Sequence, residues 1–278
     1  MALTHSSGVM PPVFAMPFWP LHHVLFFSAT FITMDRALRF FAPQSAPARL
    51  ASEVRAQARL LTPGDLPALL ELEHEKWNAG QAASRAQLLA RIEAHPELAM
   101  GAFCVRTGKL LASLFLKPVP DDFERDADTW QACVAAVPPR NTRSLFGISL
   151  SSRDTAGVEA LFAFFWPRAL TRGWRYVYLG SPVPGLRAWR QRHPHASVDD
   201  YVYRRHGGRP FDPQLRYYHR RGFTKIVGVK RDYFPHERSL DYGVLLRRTV
   251  PLSLLAPVWQ RLPAAWITRV TRTFASLL

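Results

Sequence analysis

One carboxylate in this sequence lies on an otherwise apolar helical stripe. Leu66, Leu69, Leu70, Glu73 and Trp77 are spaced as one face of an α-helix. A carboxylate enclosed by apolar groups holds its proton more tightly than one in water, which suits a general base working near neutral pH. Glu73 is therefore a candidate base, acting directly or through water. The alternative is structural: an ion pair with one of the chain's many arginines.

Other common catalytic and metal-binding patterns are absent from the sequence. It contains no GxSxG, Walker loop, GxGxxG or HExxH, so hydrolase, nucleotidase, dehydrogenase and zinc-protease functions lack support. Cys104 and Cys133 form no CxxC pair, which favours a reducing compartment and argues against a zinc module. The histidines lack metal-ligand spacing, and we expect no bound metal.

The chain is strongly basic, and the excess of positive charge is local. Its 278 residues carry a formal net charge of +15 at pH 7, and 48% of them are hydrophobic, as in an ordinary globular protein. Residues 187–248 hold 15 Lys/Arg against 6 Asp/Glu. Such an excess can serve the phosphates of a cofactor, nucleic acid or anionic lipid. The alternative is a solvated basic face.

Periodic segments predict helices and strands in an α+β order. A helix after Thr62-Pro-Gly-Asp65 carries Glu73, a second begins near Ser84, and a short strand at 59–61 precedes both. The elements that follow are strands 98–105 and 110–119, a polar loop or insertion at 120–143, strand 144–150, helix 156–170, strand 176–179, an irregular segment 180–213 with a short helix around 198–205, helix 214–221, and strands 224–229 and 242–246. This order predicts a mixed, mostly antiparallel sheet flanked by helices, with one parallel pair at 144–179.

The two ends of the chain differ from this central part. Residues 1–55 are predicted to be an extension and linker, because prolines interrupt the apolar stretch 9–33 and it resembles neither a signal peptide nor a membrane span. Residues 56–248 form the predicted domain. Residues 249–278 are predicted to hold a basic amphipathic helix, best defined over 264–277. Residues 251–278 either contact an anionic membrane surface or pack on the domain's own sheet.

Two motifs give the sequence a resemblance to the GNAT superfamily of N-acyltransferases. Residues 215–223, Leu-Arg-Tyr-Tyr-His-Arg-Arg-Gly-Phe, resemble the family's aromatic-Tyr-x-x-x-Gly-Phe signature, with Tyr218 as the signature tyrosine. Glu71-Leu-Glu73 followed by Trp77 resembles the family's first-helix pattern. The resemblance covers roughly residues 57–248 and implies a GNAT-like fold. A narrower likeness, over 181–245, is to a GNAT branch sometimes fused to carbon–nitrogen hydrolases, and it implies no substrate.

The resemblance also implies a site. Acyl-CoA, such as acetyl-CoA, would be a cosubstrate, with no tightly bound cofactor. Tyr218 becomes the candidate acid for the leaving thiolate, since a phenol's ordinary pKa near 10 is close to that of a thiolate. The alternative is that Tyr218 only packs beside Phe223. The thioester and oxyanion contacts would be backbone groups of Ile148, Ser149 and Leu150.

The sequence departs from the family at the pyrophosphate loop. The family uses Arg/Gln-x-x-Gly-x-Gly/Ala, whose glycines let backbone N–H groups approach phosphates at a helix N-terminus. Here Arg153 fits the first position, but Ala156 and Val158 replace the glycines. A shift by one residue restores Gly157 and puts Glu159 at the second glycine. Arg153, Ala156, Gly157 and Val158 are the implied coenzyme contacts of a degraded loop.

The sequence therefore predicts an acyltransferase that moves an acyl group from a thioester to an amine-bearing small molecule or peptide. The donor is acyl-CoA or an acidic acyl-carrier protein, which would suit a basic chain with a degraded phosphate loop. We expect a cytoplasmic protein, peripheral to the inner membrane. The alternative is a catalytically inactive GNAT-like binding module, in which arginines and tyrosines of 201–225 contact nucleic acid or another anionic partner. The acceptor amine, acyl length and oligomeric state stay open.

Overall fold

The computed structural model describes residues 54–77 and 82–273. Its strands are β1 (Ala56–Leu60), β2 (Ala99–Cys104), β3 (Leu110–Val119), β4 (Ser144–Ser152), β5 (Tyr176–Pro182), β6 (Arg205–His206), β7 (Arg209–Pro210), β8 (Lys225–Lys230) and β9 (Gly243–Thr249). Seven of them form one sheet in the order β1-β2-β3-β4-β5-β9-β8, and β6 and β7 form a separate small hairpin. Within the large sheet only the β4–β5 pair is parallel.

The α-helices are α1 (Leu66–Lys76), α2 (Arg85–Ala94), α3 (Trp130–Ala135), α4 (Thr155–Arg172), α5 (Leu186–Arg192), α6 (Val198–Val202), α7 (Pro213–Arg220), α8 (Ala256–Trp259) and α9 (Ala264–Thr273). Short side chains cap several of them. Ser84 accepts a hydrogen bond from the Gln87 N–H at the start of α2, for example, and satisfies a donor that the helix itself leaves unpaired.

The sheet separates two apolar layers, because side chains alternate between its faces. On one face Leu114 and Leu116 of β3 join the same buried cluster as Phe165 of α4. On the other face Phe115, the residue between them, joins Leu69 of α1 and the residues of α2. The crossover helix α4 therefore lies on one side of the sheet, and α1 and α2 lie on the other.

The α+β fold class is confirmed, including the parallel pair joined by a crossover helix. Three short helices were not predicted: α3 lies inside the predicted loop 120–143, α5 lies inside the predicted irregular segment 180–213, and α8 precedes the C-terminal helix predicted at 264–277. Nearly all of the predicted extension 1–55 lies outside the described residues, and the domain limits stay predictions. No helix in the described part of the chain is both long and apolar enough to cross a membrane.

Candidate active site

The two parallel strands at the centre of the sheet separate partway along their length. β4 and β5 pair from Ser144 with Tyr176 as far as Gly147 with Leu179. Beyond that point β4 continues to pair with β3, and β5 continues to pair with β9. Each strand keeps its outer neighbour and loses the inner one, so the sheet forks. Backbone groups that a continuous sheet would use are turned toward the opening, where a ligand can meet them.

A β-bulge lies where the fork begins. Leu116 pairs with Gly147 and Phe115 pairs with Ser149, which leaves Ile148 as an extra residue on β4. A bulge bends a strand and increases its twist, so this one accounts for the departure of β4 from β5. Ile148 is buried. The three predicted backbone contacts, Ile148, Ser149 and Leu150, thus lie at the bulge and just beyond it.

An apolar pocket opens at the fork on the α4 face of the sheet. Its volume is about 590 Å³ when the open mouth is included. Ser149 and Leu150 of β4 border it beside Tyr218 of α7, and the other walls come mainly from β3, β5 and α4, with Phe162, Phe165, Trp166, Val177, Leu179 and Phe223 among them. Arg221 also borders the pocket, and the remaining, mostly apolar walls suit an apolar arm or acyl chain.

Tyr218 both packs in the core and borders this pocket. Its side chain is buried and lies edge-on to Phe223, with ring centroids 6.0 Å apart. Burial raises the pKa of Tyr218 above its ordinary value, and the neighbouring Tyr217 adds to the effect. The phenol therefore keeps its proton at neutral pH. Tyr218 therefore packs beside Phe223, and it also lies next to the pocket, where the predicted acid would have to be.

Helix α7, which carries Tyr218, is fixed at its start by a buried carboxylate. Asp212 accepts hydrogen bonds from the Gln214 N–H at 2.8 Å, the Leu215 N–H at 3.1 Å and the Tyr201 hydroxyl at 2.7 Å. Burial raises the pKa of Asp212, and these donors act against that effect. The cap positions the helix, and through it the phenol, relative to the fork.

Glu73 lies on the opposite face of the sheet and is fully buried. Its Oε1 accepts a hydrogen bond from the Ser151 hydroxyl at 2.8 Å, and its Oε2 accepts one from the Ala83 N–H at 3.3 Å. The Trp77 indole N–H donates to Ser151 Oγ at 2.9 Å. The helical stripe in the sequence predicted the burial of Glu73 and Trp77, although Trp77 lies one residue beyond the end of α1 in extended backbone. Their shared partner, Ser151 of β4, was not predicted.

A partly buried cation lies beside the same strand. Arg91 of α2 donates from Nη1 to Ser149 Oγ at 3.5 Å. Burial lowers the pKa of Arg91 to about 10, although the charge of Glu73 acts in the opposite direction. Ser149 therefore borders the apolar pocket and also reaches a charged side chain on the α1–α2 face. The alternation of Ser149 and Ser151 along β4 is the sequence signal that could have indicated this polar face.

The predicted phosphate ligand Arg153 is held inside the protein. Its Nη1 donates to the Leu110 carbonyl at 2.8 Å and its Nη2 donates to Glu71 at 2.8 Å. Its Nε donates to Glu75, and little of the side chain is exposed. A phosphate would have to displace some of these contacts to engage the guanidinium. The coenzyme role of Arg153 stays a prediction.

The start of α4 carries its own anion. The Asp154 carboxylate accepts a hydrogen bond from the Ala156 N–H at 2.7 Å, so a backbone donor that a phosphate would use is already paired. Gly157 serves packing, because a Cβ there would come within 2.9 Å of Leu111 Cβ. Val158 is buried in the α4 layer. The predicted loop residues therefore lie at the start of α4, as expected: Ala156, Gly157 and Val158. Their contacts with a coenzyme stay a prediction.

A buried cation of β9, Arg248, packs against the turn behind the pocket. Gly222 has φ +80°, and a Cβ there would come within 2.9 Å of the Arg248 guanidinium. Arg248 donates to the Arg221 carbonyl and lies over the Trp166 ring, 4.2 Å from its centroid. Burial lowers the pKa of Arg248 to about 10.

Among the described residues no group of three or more His, Cys, Asp or Glu side chains could hold a metal.

No family profile and no curated protein matches the chain. Several solved structures match the chain in fold. The GNAT-like decarboxylase GphF in complex with isobutyryl-CoA is 22% identical, has a TM-score of 0.56, and is matched over 70% of this chain and 99% of that one. The loading GNATL domain of CurA from Lyngbya majuscula is 16% identical, with a TM-score of 0.57 over 70% of this chain and 98% of that domain. This chain has the GNAT fold.

The GNAT fold confirms the resemblance drawn from the two sequence motifs. The fork between β4 and β5 lies where that resemblance places a thioester arm. Of the predicted site residues, Tyr218, Ser149 and Leu150 meet at the pocket, and Ile148 forms the bulge beside it. Glu73 lies across the sheet behind Ser151. The fork is thus bordered by a phenol on one face and a carboxylate on the other.

Proposed function

We propose that this protein is an N-acyltransferase that takes an acyl group from a thioester and delivers it to an amine. The observation that carries the proposal is that Tyr218 borders the same pocket as Ser149 and Leu150, where β4 leaves β5. The pocket is apolar and suits the arm of a thioester donor. Similarity in fold to a protein that holds isobutyryl-CoA supports a thioester at this place.

In the proposed reaction the amine nitrogen attacks the thioester carbonyl carbon, and backbone N–H groups of β4 stabilise the oxyanion. The amine proton passes to the Ser151 hydroxyl while Ser151 gives its own proton to Glu73, 2.8 Å away. The C–S bond then breaks, and Tyr218 gives its proton to the thiolate sulfur. The phenol is protonated before the step, and because burial raises its pKa it is a weaker acid than the ordinary phenol that matches a thiolate.

The donor in this proposal is an acyl-CoA or an acyl-carrier protein, and the start of α4 favours the carrier. Asp154 already pairs with the Ala156 N–H, and Arg153 is held by Glu71 and Glu75. Both features weaken a site for a diphosphate. A carrier protein would gain its affinity from contacts between an acidic surface and this basic chain instead. The acceptor is an amine-bearing small molecule or peptide.

A second candidate function is decarboxylation of a carboxyacyl thioester. It is favoured by Arg91, a guanidinium within reach of Ser149 at the fork, and by the description of GphF as a decarboxylase. In that reaction the bond between the α-carbon and the carboxylate breaks and CO₂ leaves. The carbanion that remains takes a proton from Tyr218, so the same acid would serve both reactions.

The test is a time course of amine acylation with acyl-CoA and acyl-carrier donors. We expect Tyr218→Phe and Glu73→Gln each to lower kcat by roughly a hundredfold or more, with a smaller change in the donor KM. Tyr217→Phe is the matched control, because Tyr217 is the exposed neighbour on the same helix.

Each other result has a definite meaning. Full activity in both variants, or no turnover with any donor, would remove the acyltransferase assignment. Release of CO₂ from a 2-carboxyacyl-CoA without an amide product would select decarboxylation. If coenzyme A gives no thermal shift while nucleic acid binds in a salt-sensitive manner, the inactive binding module is the better description.

A further inference from the structure

The C-terminal helices have a buried side and an exposed apolar side. α8 and α9 pack on α4, and Trp259 and Ile267 join the buried cluster around that helix. This contact agrees in part with the packing alternative of the sequence analysis, since the segment packs on the domain through α4. Six other apolar side chains of the segment are exposed. We call this surface the C-terminal patch; it consists of Leu252, Leu254, Leu255, Val258, Leu262 and Trp266.

The C-terminal patch is a concentration of exposed apolar side chains. In the described part of the chain twelve large hydrophobic residues are exposed, and six of them fall within residues 252–266. Leu254 is 76% exposed and Trp266 is 60% exposed. A single exposed leucine is ordinary, whereas a cluster that includes tryptophan usually marks a surface that is covered in use. Leu252 also adopts a left-handed backbone, with φ +58°, which non-glycine residues disfavour.

The charged residues in the segment that carries the patch are all positive. The sequence contains no Asp or Glu after Asp241, and residues 251–278 contain three arginines. Arg261 and Arg269 are exposed and flank Leu262 and Trp266 along the chain. Helices that lie in the surface of an anionic bilayer have this composition: leucine and tryptophan together with arginine, and no acidic residue. Neither α8 nor α9 is long enough to span one.

We propose that the C-terminal patch docks onto a membrane surface that contains anionic lipids. Its apolar side chains would enter the boundary between headgroups and acyl chains, with the Trp266 indole at the headgroup level. Arg261 and Arg269 would contact lipid phosphates. The patch offers few neutral polar side chains that could form the hydrogen-bonded rim of a protein interface, so a lipid surface fits it better than a folded partner. This inference does not depend on the proposed acyl transfer.

The test is co-sedimentation of the full-length protein with vesicles of phosphatidylcholine alone and of phosphatidylcholine mixed with phosphatidylglycerol. We expect binding to the mixed vesicles and at least tenfold weaker binding to the neutral ones. Trp266→Ser and Leu254→Ser should each weaken binding severalfold. Arg261→Gln should weaken it about fivefold, and added salt should reduce that difference.

Matched controls separate the patch from general effects. Val137 is 83% exposed and Arg106 is also exposed, both outside the patch, so Val137→Ser and Arg106→Gln should bind the mixed vesicles as the wild type does. All of the substituted side chains are exposed, and thermal unfolding would verify that each variant is folded.

Three results would overturn the proposal. The first is no binding to either vesicle. The second is binding that persists in the patch variants, which would place the membrane contact elsewhere in the chain. The third is a self-association that the same patch substitutions abolish while vesicle binding stays absent. That result would identify a second copy of this chain as the occupant.

Discussion

At the scale of single residues, Ser151 holds the α1–α2 side of the fork together. Its hydroxyl donates to Glu73 and accepts from the Trp77 indole N–H, so both its proton and one lone pair are committed. A hydroxyl held in this way can relay a proton to the carboxylate without any rearrangement of heavy atoms. It can equally serve only to satisfy two buried polar groups, and a single substitution distinguishes the two roles.

Ser151→Ala should lower kcat at least tenfold and lower the free energy of unfolding by about 1–3 kcal/mol, because it leaves buried polar atoms of Glu73 and Trp77 without this partner. The measurements are the pH dependence of kcat and urea unfolding. Ser152→Ala is the control: its hydroxyl bonds the Asp154 carbonyl in the following turn. A loss of stability with an unchanged pH–rate profile would mean that Ser151 is structural only.

The sequence could place Glu73 on a buried stripe but could not supply its partner. Ser151 lies 78 residues further along the chain, and it meets Glu73 only because β4 pairs with β3 in one register beyond the bulge at Ile148. Register across strands depends on the packing of the whole sheet, which a local pattern does not contain. The site role of Tyr218, in contrast, could be proposed from the sequence, because Tyr218 belongs to the motif of residues 215–223.

At the scale of elements, long periodic segments were predicted well and most of the short helices were not. The strand predicted at 110–119 is Leu110–Val119, whereas α3 and α5 were assigned to loops. Both helices are seven residues or fewer, and each is stabilised by burial of one tryptophan, Trp130 and Trp189. Helices of this length have little intrinsic stability, so tertiary contacts determine whether they form. Their sequences are also too short to show a clear helical periodicity.

The connection between β4 and α4 gives a prediction at the same scale. Asp154→Asn keeps an oxygen that accepts from the Ala156 N–H but removes a negative charge from the start of the helix. If the donor's phosphates lie there, the KM for acyl-CoA should fall about fivefold, with little change in stability. The KM for a carrier-protein donor should change less, since its affinity comes from other contacts.

Steady-state kinetics with both donors at two salt concentrations measures this effect. Asp199→Asn, the same substitution in the first turn of α6, is the control and should change neither KM. An unchanged KM for acyl-CoA in the Asp154 variant would place the phosphates elsewhere.

At the scale of the whole molecule, the segment 231–242 between β8 and β9 fastens one end of the sheet. Tyr233 fills the space above Gly180 of β5 and Gly243 of β9, where a Cβ would lie within 2.5 Å of its ring. Ser239 accepts a hydrogen bond from the Val183 N–H at 2.8 Å, just after β5. His236 organises this segment, because its Nδ1 accepts from the Ser239 N–H at 3.0 Å. An accepting Nδ1 requires the neutral imidazole.

Acid should therefore destabilise the fold through His236. Burial lowers the pKa of His236 to about 4, from about 6.5 in the unfolded chain. Between these values the unfolded state binds the proton and the folded state does not, so the free energy of unfolding falls as pH drops from about 6.5 to about 4. Over this range, the free energy of unfolding falls by about 3 kcal/mol because of His236.

Urea unfolding of the wild type and of His236→Asn between about pH 7 and pH 4 tests this effect. The variant retains an oxygen that can accept from the Ser239 N–H but has no group that titrates in this range. It should begin less stable at neutral pH and lose less stability in acid, so the two curves converge as pH falls. The exposed His195 is the control, and His195→Asn should follow the wild-type curve. Parallel curves for His236→Asn and the wild type would contradict the assignment, because the acid sensitivity would then arise from groups outside this segment.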